Sequence, residues 1–585
     1  MRLPGLSDSE KRVRNDFLNG ARTTFTARDP ALDDIAHGAS WGPDRTIRAD
    51  FLKKLIEEVG ERRAPLRVVG ARIVGPVELE YLELGYSLSF SSCYFDEEID
   101  LHDTRLRRLN LRGTRLAGLM GAQMHVDGSV VLHESRIDGR LRLDSAVIGG
   151  GLLVTDAMVC NPGGMALRVD RARITGDLSL WGTTIEGSTL LRDTRTDGVL
   201  SLESARLIST GEFAMDAARV QVGSDLVGDG LYAEGQIRFS GAQIAGLFRL
   251  ADAKLNNPGD IALEAYQIRV GADLQLYRGF EATGQVRIPG AHVAGHVRFD
   301  EAVLRGNGED ALDARYVEVG GAIRCRKMHS TGALRFASAR VGSDLDFSEA
   351  LLTTGTRGAD RNILFLGHLR SAELTLRFAA PPEGGIHLAN AQVGVLNDDP
   401  ATWPPRLAHD GFAYERIAEP GSLTGRIEWL KREIGGYRPG PYEQLASVYR
   451  RQGLEGEARR VLLAKQRARR KTLSLAARPW GFVQDAAVGY GYRPERALGW
   501  LVALLITGTI VFGLHHPIPS GPDKAAPFNP LIYSLDLLLP VINFGQGRAY
   551  VATGGYQWVA YLLTAAGWIL ATTIAAGVAR AVNRA

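Results

Sequence analysis

The stretch ARITGDLSL, Ala172 to Leu180, decides how this chain is read, because it returns. It comes back as AQIAGLFRL (Ala242–Leu250), AHVAGHVRF (Ala291–Phe299) and ARVGSDLDF (Ala339–Phe347). Within a copy the apolar residues alternate, as Ile174, Leu178 and Leu180 do, and glycine punctuates them. Period-two alternation marks short strands with one buried face. Equivalent starts at Thr194, Ala218, Ala242, Tyr266, Ala291, Arg315 and Ala339 lie 24 or 25 residues apart. A longer period of about 48 overlies them, with LNNPGDIALEA at Leu255 and LRGNGEDALDA at Leu304 in matching places. Earlier in the chain Leu101, Leu106, Leu111 and Leu116 fall at strict intervals of five.

A strand that recurs at this interval pairs with its own equivalent in the next unit, so the coils stack into a solenoid. The expected fold is mainly β: a right-handed parallel β-helix over residues 65–400. Some 11 to 14 coils at about 4.8 Å each would make a body roughly 55 to 65 Å long. The Leu-x-x-Leu-x-Leu-x-x-Asn signature of leucine-rich repeats is absent. WGPDRTIRADFLKKLI, Trp41 to Ile56, reads as a helix covering the open first coil, within an N-terminal cap of residues 1–64.

Composition limits what such a body can do. The chain has 585 residues and a formal charge of +3, which offers no global attraction to nucleic acid. Between Leu101 and Leu351 about 31 acidic and 29 basic residues nearly cancel, which excludes an acidic DNA-mimicking rod. Cys93, Cys160 and Cys325 are far apart and fit no metal or redox spacing. His292 and His296 could share a face, but solvated histidines explain them more simply than a metal pair. Arg136, Arg173, Arg206, Arg219 and Arg340 recur after the first small residue of the unit, as a solvated edge or a ligand-binding ladder. No P-loop, dinucleotide fingerprint or GxSxG elbow occurs, so neither catalysis nor a cofactor is expected.

The C-terminal part obeys different rules. Ala497–Leu514 and Trp558–Val578 carry no charge, and each is about long enough to cross roughly 30 Å of hydrocarbon. Ten Arg or Lys against two Glu between Arg450 and Arg478, with Arg580 and Arg584 at the tail, place both flanks in the cytoplasm. The N-terminus lacks the apolar core of a signal peptide, so residues before Ala497 are expected on the same side. Residues 401–496 read as a helical hairpin and basic linker, and 497–585 as a two-helix transmembrane domain. In the hairpin, Tyr442, Leu445, Val448 and Tyr449 share one face, and Ala458, Val461 and Leu462 form a second stripe. Lys465, Arg467, Arg469, Arg470 and Lys471 form a basic run suited to an anionic inner leaflet.

WGPDRTIRADFL (Trp41), GARIVGPVEL (Gly70), PYEQLASVYRRQG (Pro441), GYGYRPERAL (Gly489) and NPLIYSLDLLLPV (Asn529) together resemble a group of bacterial membrane proteins. That group has a pentapeptide-repeat-like β-helical body and two C-terminal helices, and is often labelled membrane-associated oxidoreductase. No motif in this chain carries that label. GYGYRP followed by two apolar helices also resembles pentapeptide-repeat proteins fused to a two-helix potassium-channel pore.

Laid on the pore loop of such channels, YSLDLLLPVINFGQ (Tyr533–Gln546) matches Tyr533 with the loop's first tyrosine. The filter Thr-Val-Gly-Tyr-Gly then falls on Val541, Ile542, Asn543, Phe544 and Gly545, with Pro540 ending the pore helix. The departures are Val541 without a hydroxyl, Asn543 for glycine, and Gln546 for the outer carboxylate. The resemblance implies a re-entrant half-helix with a filter-like turn. The expected function is a membrane-anchored cytoplasmic scaffold or sensor in the inner membrane, its partners the bilayer and a protein on the β-helix surface. The alternative is a subunit of a homo-oligomeric pore, a tetramer if it conducts.

Overall fold

In the computed structural model of the chain, residues 5–27, 33–59, 64–355, 361–472, 474, 485, 489–491, 494–521, 527–539 and 542–582 are described, leaving aside the side chains of 59, 307–309, 491, 494, 495 and 573–582. The chain divides into two compact units, Met1–Glu419 and Pro420–Ala585.

The first unit is a parallel β-solenoid of about 16 turns. At about 4.8 Å per turn the stack is roughly 75 Å long, longer than the 11 to 14 coils expected. Its spine is one inward column in which Leu152, Leu178, Leu200, Leu226, Phe248 and Leu274 pair in direct register. Each of these side chains is at most 1% exposed. Leu101, Leu106, Leu111 and Leu116 are likewise fully buried, so the five-residue spacing carries one leucine inside on successive faces. Corner hydroxyls replace part of the apolar stack without leaving polar atoms stranded. Thr104 Oγ1 donates to Leu79 O (2.6 Å), Ser135 Oγ to Leu111 O (2.6 Å) and Thr194 Oγ1 to Val169 O (2.7 Å), each one turn back.

The uniform 24-residue period is an average of two unlike turns. Paired positions Arg195, Gln221, Gln243, Arg269, His292, Glu318 and Arg340 are separated alternately by 26 and by 22 or 23 residues. Long strands such as Met158–Arg168 and Lys254–Glu264 have 11 residues, while their neighbours Thr184–Leu190 and Glu281–Arg287 have 7. The four extra residues leave the ladder as a bulge, and the neighbouring turn passes beneath it at a glycine. Gly284 has φ +119°, and a Cβ there would meet Asn257 O at 2.5 Å. This is the origin of the 48-residue superperiod.

At the N-terminal end, helix α1 (Asp8–Leu18) begins with a capping box between Ser7 and Glu10. Helix α2 (Ala49–Val59) buries Phe51, Leu52, Leu55 and Ile56 over the first turn. The helix expected at Trp41–Ile56 therefore starts later. Thr46–Arg48 is a strand paired with Arg72–Val74, and it continues the sheet into the cap. At the other end stacking runs past residue 400 to Ile417.

The second unit opens with α3 (Leu423–Leu430), then α4 (Pro439–Arg451) and α5 (Glu455–Thr472). Tyr442, Leu445, Val448 and Tyr449 are buried, as are Ala458, Val461 and Leu462 on the facing helix, and Gly453 turns the chain at φ +76°. These are the two apolar stripes read from the sequence. The unit ends in α6 (Pro494–Leu514), α7 (Pro530–Leu538), α8 (Gln546–Ala549) and α9 (Tyr556–Val582).

Candidate functional site

Helix α7 is short because Asn529 and Pro530 start it and the chain leaves helical geometry at Leu539. The Asn529 side chain accepts from the amides of Leu531 and Ile532, at 3.0 and 3.4 Å. The half-helix packs against both long helices, α6 and α9. Phe512 meets Tyr533 edge-on at 5.0 Å, and Leu538 and Leu563 complete the cluster. Small residues set the approach. Gly508 on α6 lies beside Ser534, and a Cβ on Gly567 of α9 would sit 2.1 Å from Leu538 O. Such small-residue crossings are how helices pack where burying apolar surface brings little gain.

Of the residues aligned with a channel filter, Tyr533 is buried in this helix packing, and Pro540 and Val541 lie outside the described residues. Ile542 and Phe544 are exposed, and Gly545 has φ +91°. One side chain organises the turn, and the sequence reading missed it. Asp536 accepts from the amides of Phe544 (2.6 Å) and Gly547 (2.7 Å). Asn543 Oδ1 accepts from Gly545 N at 2.8 Å. Gln546, aligned with an outer-mouth carboxylate, is instead a buried latch: Oε1 accepts from Asn529 N (3.0 Å) and Nε2 donates to Pro527 O (2.9 Å). The signal was available, since Asp536 is the one charge between Tyr533 and Gln546.

The basic run on α5 is not a uniformly free patch. Lys465 pairs with Glu443, and Arg467 and Arg470 converge on Asp485 at 3.0 and 3.3 Å. Arg469 and Lys471 are exposed.

On the solenoid the arginines singled out by sequence do not form one ladder. Arg136 and Arg206 belong to one sheet, Arg173 and Arg340 to the other, and Arg219 stands at a corner. The continuous outward column is Arg173, Arg195, Gln221, Gln243, Arg269, His292, Glu318, Arg340 and Arg370. It borders a groove of about 960 Å³ that runs from Arg195 to Arg370. Two further depressions share its residues, one reaching back to Arg173. The 26 and 22 alternation, had it been recognised, would have aligned this column.

The remaining candidate chemistry is structural. His292 Nε2 lies 3.2 Å from Glu318, whereas His296 Nδ1 accepts from Ala322 N at 2.9 Å. Burial raises the Cys93 thiol to about 12 and lifts Cys325 well above its ordinary value. The Glu186 carboxylate, hydrogen-bonded at 2.9 Å, raises Cys160. None is thereby poised as a thiolate. Among the described residues no group of three or more His, Cys, Asp or Glu is gathered to hold a metal. Comparison with protein-family models, curated proteins and solved structures finds no match for the chain.

Proposed function

We propose that the chain is a membrane-anchored scaffold or sensor, its β-solenoid on the cytoplasmic side and its C-terminal helices in the inner membrane. One observation carries the reading: the large apolar side chains of α6 and α9 point away from their own unit. Ile506 is 54% exposed and Leu514 73%, and on α9 Trp558 is 74% and Leu562 68% exposed. Contiguous apolar surface of this kind needs hydrocarbon or a partner around it. Among the described residues one helix, over Arg496–Leu514, is long and apolar enough to cross a bilayer. The second proposed span lies on α9, whose side chains from residue 573 onward are outside the described residues. On this reading the scaffold works by holding a protein partner rather than by catalysis or nucleic-acid binding.

A reporter fused after Ala585 is expected to report cytoplasmic, and one inserted near Gly521 external. The reverse pattern, or recovery of the chain in the soluble fraction, would end this reading. A second reading, a tetrameric pore, is favoured by the half-helix α7 held between two long helices and followed by a left-handed Gly545. Gly545→Val should abolish any current in planar bilayers, because a β-branched residue resists positive φ. A monomer in detergent argues against the pore, since one chain supplies one loop.

A further inference from the structure

The outward column of the solenoid carries several cations that it leaves without an ion pair among the described residues. Its inward neighbours, such as Ile174, Val222, Ile244 and Val270, are buried β-branched residues, and the glycines beside it are held by backbone spacing. A Cβ on Gly271, for example, would meet Ala245 O at 2.1 Å. The outward positions are exposed or half-buried. They hold five arginines, two glutamines and a histidine against one glutamate, with no lysine, phenylalanine, tyrosine or tryptophan, and Asp197 also lines the groove. Arg195 and Arg340 have partners in Asp197 (3.0 Å) and Glu318 (3.3 Å). Arg173, Arg269 and Arg370 form no ion pair among the described residues.

Those three stand at equal intervals. Four turns separate Arg173 from Arg269, and four more separate Arg269 from Arg370. Each interval is roughly 19 Å at about 4.8 Å per turn, which about six residues of extended chain span at about 3.2 Å each. Six is even, so side chains at that interval leave an extended chain on one face. A guanidinium fork pairs a carboxylate through two charge-assisted hydrogen bonds. Gln221 and Gln243, between the first two arginines, offer both donors and acceptors to a peptide backbone. The lining holds no phenylalanine, tyrosine or tryptophan of the kind on which single-stranded nucleic acid stacks.

We propose that this groove binds an extended acidic peptide of a partner protein, laid along the solenoid axis with carboxylates at six-residue intervals facing Arg173, Arg269 and Arg370. The proposal deepens the scaffold reading by naming the class of partner. It does not depend on membrane anchorage, so failure of either test leaves the other intact.

The test uses the full chain and a labelled synthetic peptide of about fifteen residues, with three Glu at six-residue spacing in a Ser/Thr background. Its counterpart carries the same Glu at five-residue spacing, which turns the middle carboxylate to the opposite face. The six-spaced peptide should bind better, and binding should weaken with added salt. Arg269→Gln should weaken it by about tenfold or more, as expected for one lost charge-assisted contact. Lys254→Gln, an exposed charge on the other sheet, should leave it unchanged. Thermal unfolding of both variants confirms that the solenoid is intact. Equal binding of the two peptides, or insensitivity to Arg269→Gln, would overturn the proposal. So would preferential binding of an oligouronate or an oligonucleotide at this groove.

Discussion

The two units of this chain solve burial in opposite ways. In the solenoid the large side chains are inside: Phe239, Phe248, Phe336 and Phe347 are buried, with edge-on contacts at 5.2 and 5.8 Å. In the C-terminal helices Gly508, Ser534 and Gly567 set the close approach of α6, α7 and α9 around the buried Phe512, Tyr533 and Leu538, while Ile506, Ile510, Leu562 and Trp568 face outward. The first arrangement is what water selects, because removing apolar area from water is the main favourable term. The second leaves contiguous apolar surface for hydrocarbon or a partner protein to cover.

The largest effect should come from putting the same charge into both arrangements. Leu178→Asp places a carboxylate in the middle of the inward stack, where burial without a partner costs several kcal/mol. The solenoid transition should drop sharply or vanish in thermal unfolding followed by circular dichroism. Ile506→Asp on the outward face of α6 should scarcely alter folding if that face meets water. If it meets lipid, insertion should lose about 3 kcal/mol, seen as loss from the membrane fraction. An unaffected Ile506→Asp in membranes would remove the contrast between the units.

Glycine contacts give the next effect. Gly284→Ala combines a left-handed φ with a Cβ 2.5 Å from Asn257 O, and Gly567→Ala places a Cβ 2.1 Å from Leu538 O. Each should cost on the order of 1–3 kcal/mol, since the opposing atom is backbone and cannot swing aside. The first should shift the solenoid transition alone. The second should loosen α7 from α9 and raise hydrogen exchange in residues 530–538. A common response of both regions to either change would mean that the units fold as one.

How far the sequence revealed this depended on how local each feature is. The five-spaced leucines and the alternating Ile174, Leu178 and Leu180 announced their burial, because side-chain direction in a strand is set by position alone. The alternation of 26 and 22 residues was hidden, since insertion and compensation average to a period near 24. With the register wrong by two in alternate turns, Arg219 was placed on a ladder and Arg269 and Arg370 were not. The clamp by Asp536 was harder still. It depends on a carboxylate meeting amides 8 and 11 residues onward around a turn, which no periodicity encodes.

Acid offers a third way to test the contrast. Burial pushes the Asp313 carboxyl upward, but hydrogen bonds from the Arg315 side chain and backbone, and its charge, hold it below the usual range. Asp346 behaves alike: burial raises it, and Ser348 and Arg326 more than reverse this. A carboxylate depressed in the folded state contributes stability that is fully present above its unfolded value of about 3.9. That contribution is lost as pH falls through the lower folded value. The solenoid's thermal midpoint should therefore fall as pH drops below about 4. Asp346→Asn should flatten the slope, and an unchanged slope would deny these ion pairs a part in stability.

The smallest expected effect concerns two tyrosines with the same backbone conformation. Tyr316 turns a solenoid corner at φ +60°, and Tyr490 precedes α6 at φ +55°. Left-handed geometry disfavours both equally, and asparagine tolerates it better than tyrosine. What differs is the ring. Tyr316 is 64% exposed, so Tyr316→Asn should raise the solenoid's stability by about 0.5 kcal/mol. The Tyr490 hydroxyl is buried and its ring half-buried in the second unit, where packing outweighs relief of the backbone. Tyr490→Asn should then destabilise that unit despite the identical local gain. Matching signs for the two substitutions would show that backbone strain, not side-chain burial, decides the balance at both turns.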